Sequence, residues 1–284
     1  RWLKYKKGYT TLEKSKSGLD GKDIIWYHPE SRTSKILVSS EHLIYPGEKK
    51  PMKIDDYQWS NDGRRLLLFT NTKRVWRRNT RGDYWIFNLK AKTLWKLGGE
   101  APPSTLMFAK FSMDGNRVAY VCQSNLFVQE LNQSRQITQL TFDGSKTIIN
   151  GTFDWVYEEE FSIRDGFRWS PDGQLIAYWQ LDAEEVGNFF LINNTDGLYS
   201  KVIPIQYPKV GTTNSAVRIG VVSSRGGKTL WFKLPGNSRQ FYLPRMEWTD
   251  CSDEVIFQKM NRMQNINNLM IGNIHNGNLK TILT

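Results

Sequence analysis

One five-residue phrase recurs along this chain, and it limits the possible folds more than any other feature. Trp169-Ser170-Pro171-Asp172-Gly173 leads into Gln174-Leu175-Ile176-Ala177-Tyr178. Trp59-Ser60-Asn61-Asp62-Gly63 leads into Leu66-Leu67-Leu68-Phe69, and Phe111-Ser112-Met113-Asp114-Gly115 into Val118-Ala119-Tyr120-Val121. A weaker copy, Trp248-Thr249-Asp250, precedes Val255-Ile256-Phe257, and Trp2 with Gly8-Tyr9-Thr10-Thr11 fits as the first copy. The phrase reads as a strand, a tight Asp-Gly turn and a β-rich strand leaving it.

Each unit carries a second hairpin. Tyr84-Trp85-Ile86-Phe87 turns near Lys90-Ala91 and returns as Thr93–Leu97. Ile24–Tyr27 pairs with Lys35–Val38, and Leu269–Ile271 with Leu279–Leu283 across the turn His275-Asn276-Gly277-Asn278. About four strands per unit, at a period of roughly 50 residues, predicts an all-β fold of the β-propeller class with about five blades in residues 1–284. The strands are apolar on both faces, as stacked sheets require. Helical periodicity is weak throughout.

Two stretches do not fit the repeat. One is an insertion in the unit beginning at Trp169, running roughly over 191–214 and read as a projecting arm. The other is the connection between Thr141 and Trp169, which contains Asp154-Trp155-Val156-Tyr157-Glu158-Glu159-Glu160. Three consecutive carboxylates repel one another unless a cation settles them. An α-ammonium is largely protonated at neutral pH, and two carboxylates can hold it by charge-assisted hydrogen bonds. Such a site reads the beginning of a peptide.

The net charge is +11. The basic residues are scattered in short clusters such as 4–7 and 74–78, without a zinc-finger spacing or an aromatic RNA-binding motif, so no nucleic-acid partner is expected. No apolar run reaches membrane-spanning length. Cys122 lies in an apolar run and reads as core; with Cys251 it makes no disulfide framework. No Gly-x-Ser-x-Gly elbow is present, and His28, His42 and His275 form no triad motif. No cofactor or metal site is expected. Asn150-Gly151-Thr152 and Asn193-Asn194-Thr195 fit the glycosylation pattern.

The acidic segment followed by Trp169-Ser170-Pro171 resembles the double-glutamate segment of the dipeptidyl peptidase IV family. Val75-Trp76-Arg77 resembles a Gln-Trp-Arg segment of that family, and Tyr207-Pro208-Lys209-Val210-Gly211 with Asn214 resembles its Tyr-Pro-Lys-Ala-Gly segment. The three stand in the family's order. The loop after the glutamates is one residue shorter here, and Val75 replaces a polar residue. The resemblance implies an eight-bladed propeller, about five blades of it present in 1–284, joined to a downstream α/β-hydrolase domain that this chain lacks. It implies a serine exopeptidase releasing Xaa-Pro or Xaa-Ala dipeptides, in which this chain alone is inactive. By the same resemblance Glu159 and Glu160 bind the substrate ammonium, Arg77 orients them and holds the first carbonyl, and Glu158 stays off the substrate. It further implies a homodimer through the 191–214 arm, and a secreted, periplasmic or membrane-anchored location. Two other classes remain: a non-catalytic peptide- or protein-binding propeller, and a propeller that binds an anionic polymer through its basic surface.

Overall fold

A computed structural model describes residues 1–16 and 20–284. The chain forms two compact units, one of residues 1–122 and 127–137, the other of 123–126 and 138–284.

The first unit opens with a three-stranded antiparallel sheet, β1 (Tyr9–Lys14), β2 (Lys22–Tyr27) and β3 (Ser34–Val38). Two four-stranded meanders follow. The first contains β4 (Ile54–Trp59), β5 (Arg65–Arg74), β6 (Asn79–Asn88) and β7 (Thr93–Lys96). The second contains β8 (Leu106–Phe111), β9 (Arg117–Cys122), β10 (Asn125–Glu130) and β11 (Ile137–Gln139), and the boundary between the units runs through β10 and β11. Alternation within β5 shows why these strands are apolar on both faces. Leu66 and Leu68 enter one core with Ile24, Val38 and Phe87, while Leu67 enters another with Tyr84, Val118 and Tyr120.

The second unit holds two further blades. One is built from β12 (Ile148–Asn150), β13 (Phe167–Trp169), β14 (Leu175–Asp182), β17 (Ala216–Ser223) and β18 (Leu230–Trp231). Between β14 and β17 a separate hairpin is inserted, β15 (Asn188–Asn193) with β16 (Lys201–Gln206). This is the expected arm; its hairpin begins three residues earlier than the sequence suggests and its paired strands end at Gln206. The other blade contains β19 (Phe241–Tyr242), β20 (Met246–Trp248), β21 (Glu254–Asn261), β22 (Asn267–Asn273) and β23 (Leu279–Leu283).

The repeated phrase is also a repeated geometry. Trp2 pairs with Tyr9, Trp59 with Leu66, Phe111 with Val118, Trp169 with Ile176 and Trp248 with Val255, each partner seven positions on. In the three best copies the Ser carbonyl accepts from the Gly amide at 2.9 Å, closing the turn at Gly63, Gly115 and Gly173, all with positive φ. The serine hydroxyl donates to the turn aspartate: Ser60 to Asp62, Ser112 to Asp114 and Ser170 to Asp172. Burial pushes these three carboxyls up, but hydroxyl and amide donors more than reverse it and hold them below the ordinary range. Thr249 replaces the serine in the weak copy, and its amide donates to the Glu254 carbonyl at 3.1 Å, as the Ser60 amide does to Arg65 at 3.0 Å.

Candidate functional site

The acidic segment is an excursion from a blade's strand. β12 and β13 pair with consecutive parts of β14: Asn150 lies opposite Gln180, and Phe167 opposite Tyr178. Between them, Trp179 bonds both ends of the detour. Its carbonyl accepts from the Gly151 amide and its own amide donates to the Gly166 carbonyl, both at 3.0 Å. The two glycines permit this closure. Gly151 has φ 72°, and a Cβ on Gly166 would lie 2.6 Å from the Gly151 carbonyl carbon.

Within the detour lies one short helix, α1 (Trp155–Glu160), where the sequence reading sees only a long connection. Asp154 is its N-cap: one carboxylate oxygen accepts from the Tyr157 amide at 3.1 Å and the other from the Ser215 hydroxyl at 2.7 Å. Burial raises the Asp154 carboxyl, opposed by these donors. Tyr157 anchors the helix in the core; its hydroxyl accepts from the Leu243 amide at 3.0 Å, and burial holds its phenol well above the usual range. Phe153, Trp179, Phe161 and Tyr242 complete an aromatic cluster around it.

The three glutamates separate by environment. Glu158 is buried, 3% exposed, with Arg164 at 3.4 Å. Burial raises its carboxyl; Arg164 opposes the shift and Glu159 adds to it. Glu159 is half-buried and Glu160 exposed. The helix therefore presents two adjacent carboxylates at its C-terminal end and turns the third into the protein. Such a pair can accept several hydrogen bonds from one ammonium group.

Arg77 belongs to the first unit and stands at the tip of the β5–β6 hairpin, where Trp76 has φ 35° and the Val75 amide donates to the Arg78 carbonyl at 2.9 Å. Its side chain is exposed. The structure thus brings Glu159 and Glu160 together on one helix and carries Arg77 on a separate hairpin. The Tyr207–Asn214 segment packs beside α1: the rings of Trp155 and Tyr207 lie 4.4 Å apart. Tyr157, Tyr242, Ser215 and the glycine pair escape the sequence reading, although the Asp154 cap and the flanking glycines were available as signals. Of the remaining sequence candidates, Cys122 is buried as expected, and Asn150 is fully buried and bonded to Asp143, which rules out glycosylation of the folded chain there. His275 does have an acid neighbour, Asp253 at 2.9 Å, on the exposed surface.

Successive antiparallel blades, one of them with an acidic helix between two of its strands, define a protein of the β-propeller class. The chain belongs to the dipeptidyl peptidase IV N-terminal region family, whose model matches residues 60–284. It is 30% identical over 210 residues to dipeptidyl aminopeptidase B of Saccharomyces cerevisiae, covering 72% of this chain and 25% of that protein. It is 28% identical over 248 residues to inactive dipeptidyl peptidase 10 of Mus musculus, covering 85% and 30%. The crystal structure of Porphyromonas gingivalis dipeptidyl peptidase 4 matches 99% of this chain and 39% of its own, with a TM-score of 0.87 and 28% identity. The chain spans between a quarter and a third of the length of these curated relatives. Among the described residues no helix is long and apolar enough to cross a membrane.

Proposed function

We propose that this chain is the specificity portion of a serine-type dipeptidyl peptidase, in which Glu159 and Glu160 hold the α-ammonium of a peptide and Arg77 contacts the first carbonyl. The observation that carries this reading is the division of the three acids, with Glu158 turned in and the next two turned out. Docking the amine at a fixed place limits how far the peptide extends past it, so the length of the released piece is measured by geometry. Remote binding of the amine also orients the scissile carbonyl for a hydrolase domain carried elsewhere in the full-length protein. The same reading has that protein secreted, periplasmic or membrane-anchored, and the arm over 191–214 facing a second copy.

In the full-length protein, Glu159→Gln and Glu160→Gln are each expected to lower kcat/KM for Xaa-Pro chromogenic substrates by at least about tenfold, the scale of one charged hydrogen bond. Unchanged kinetics in both variants sinks the assignment. A second reading, a peptide-binding propeller without catalysis, is favoured by one observation: a relative of similar identity is named inactive. A full-length product without a nucleophile elbow, yet binding free-amine peptides through the same glutamates, would select it.

A further inference from the structure

The segment that returns from the arm, from Tyr207 to Ser215, has no role at the ammonium site in the reading above, yet it touches α1 or its surroundings at three levels. Tyr207 lies against Trp155, the first helical residue, at 4.4 Å, and its ring is 6.0 Å from Phe189 at the start of the arm. Its amide donates to the Gly187 carbonyl at 2.9 Å and closes the arm's root. Asn214, nearly buried, donates to the Tyr242 hydroxyl at 2.8 Å, and the Tyr242 ring packs on Tyr157 and Phe161. Ser215 donates to the Asp154 cap at 2.7 Å. These contacts address the beginning, middle and end of a six-residue helix.

A helix this short does not hold itself in water, so its pose comes from its neighbours. Pose matters unusually here. Glu158, Glu159 and Glu160 are consecutive and chemically identical, and successive residues of an α-helix are about 100° apart around its axis. A rotation by one residue would turn Glu159 inward and Glu158 outward. We infer that residues 207–215 form a brace which sets the rotation and depth of α1, and that Tyr207, Asn214 and Ser215 are positioning residues for the outward pair. Tyr207 acts through its ring and Ser215 through its hydroxyl. Because the brace is also the arm's return leg, the arm root and the acidic helix are packed as one assembly. The kinetic consequence rests on the proposed role of Glu159 and Glu160; the structural one does not.

The test uses the full-length protein with Tyr207→Ala, Ser215→Ala and Tyr207→Phe, read by hydrogen exchange and by steady-state kinetics on Xaa-Pro substrates. Both alanine variants are expected to speed exchange of the Glu158 and Phe161 amides about tenfold, with β14 and β17 unchanged. They are expected to raise KM about fivefold with kcat within about twofold, while Tyr207→Phe behaves as the parent on both readouts. Parental exchange and KM in both alanine variants overturn the brace. Faster exchange spread over β14 and β17 also overturns it, by assigning these residues to the general stability of the blade. If Glu159→Gln and Glu160→Gln prove kinetically silent, the ammonium reading fails instead, and exchange alone decides: acceleration confined to α1 supports the brace, parental exchange overturns it.

Discussion

The fourth blade contains two antiparallel strand pairs of similar local geometry and opposite surroundings. β14 and β17 pair over eight residues, and from Ile176 to Leu181 every residue of β14 is buried. β15 and β16 pair over six, from Asn188–Gln206 to Asn193–Lys201, and Phe190 (62%), Ile192 (66%) and Val202 (63%) are exposed. Both pairs are rich in β-branched and aromatic residues, so strand propensity does not distinguish them. What differs is cover. The first pair is sandwiched in the core with Phe153, Tyr157 and Phe257; the second is a lone two-stranded hairpin, a form marginal in water without support. The acidic excursion lies at their junction, drawing rigidity from the core through Tyr157 and touching the arm's root through Trp155.

The sharpest way to break this contrast is Trp179→Ala. Trp179 is 1% exposed, donates its indole N–H to the Leu243 carbonyl at 2.8 Å and bonds both ends of the excursion. A loss of about 3–5 kcal/mol in denaturant unfolding of the blade is expected. A loss below about 1 kcal/mol would mean that this core tolerates a cavity the contrast forbids. Ser170→Ala removes a hydroxyl that donates to Asp172 at 2.6 Å and accepts from the Leu175 amide at 2.9 Å. It should cost about 1 kcal/mol by the same measurement. The deficit should be largest near neutral pH and shrink in acid: Asp172 sits below its ordinary range, so its contribution is present above the unfolded carboxyl pKa and lost as pH falls through the folded value.

Glu158 has the opposite sign. Its raised carboxyl contributes stability that is complete below the unfolded value and lost as pH rises through the folded one. Melting temperatures of Glu158→Gln and the parent should therefore diverge in the variant's favour between pH 4 and pH 7; divergence the other way would show that the Arg164 pair outweighs burial. The smallest effect belongs to the arm. Phe190→Ser should change stability by less than about 0.5 kcal/mol. A larger loss that grows with protein concentration would show that another copy covers the hairpin.

Much of the fold was legible because its signals are local. The aromatic-Ser-x-Asp-Gly phrase encodes its own turn, with hydroxyl, carboxylate and glycine all within five residues, and the following apolar run encodes a strand buried on both faces. The acidic segment was legible as chemistry, since three adjacent carboxylates are conspicuous in a basic chain. Its form was not: nothing within 154–160 shows that Gly151 and Gly166 close on each other across Trp179.

The sequence by itself determined the repeat, the strand class, the family and the presence of a carboxylate cluster, because each depends on residues close together along the chain. The resemblance already singled out Glu159 and Glu160 and set Glu158 aside; what turns Glu158 inward and leaves the next two at the surface is the tertiary structure. That orientation depends on the rotation of a helix too short to orient itself, held by Arg164, Tyr207, Asn214, Ser215 and Leu243, of which four lie more than forty residues from it along the chain.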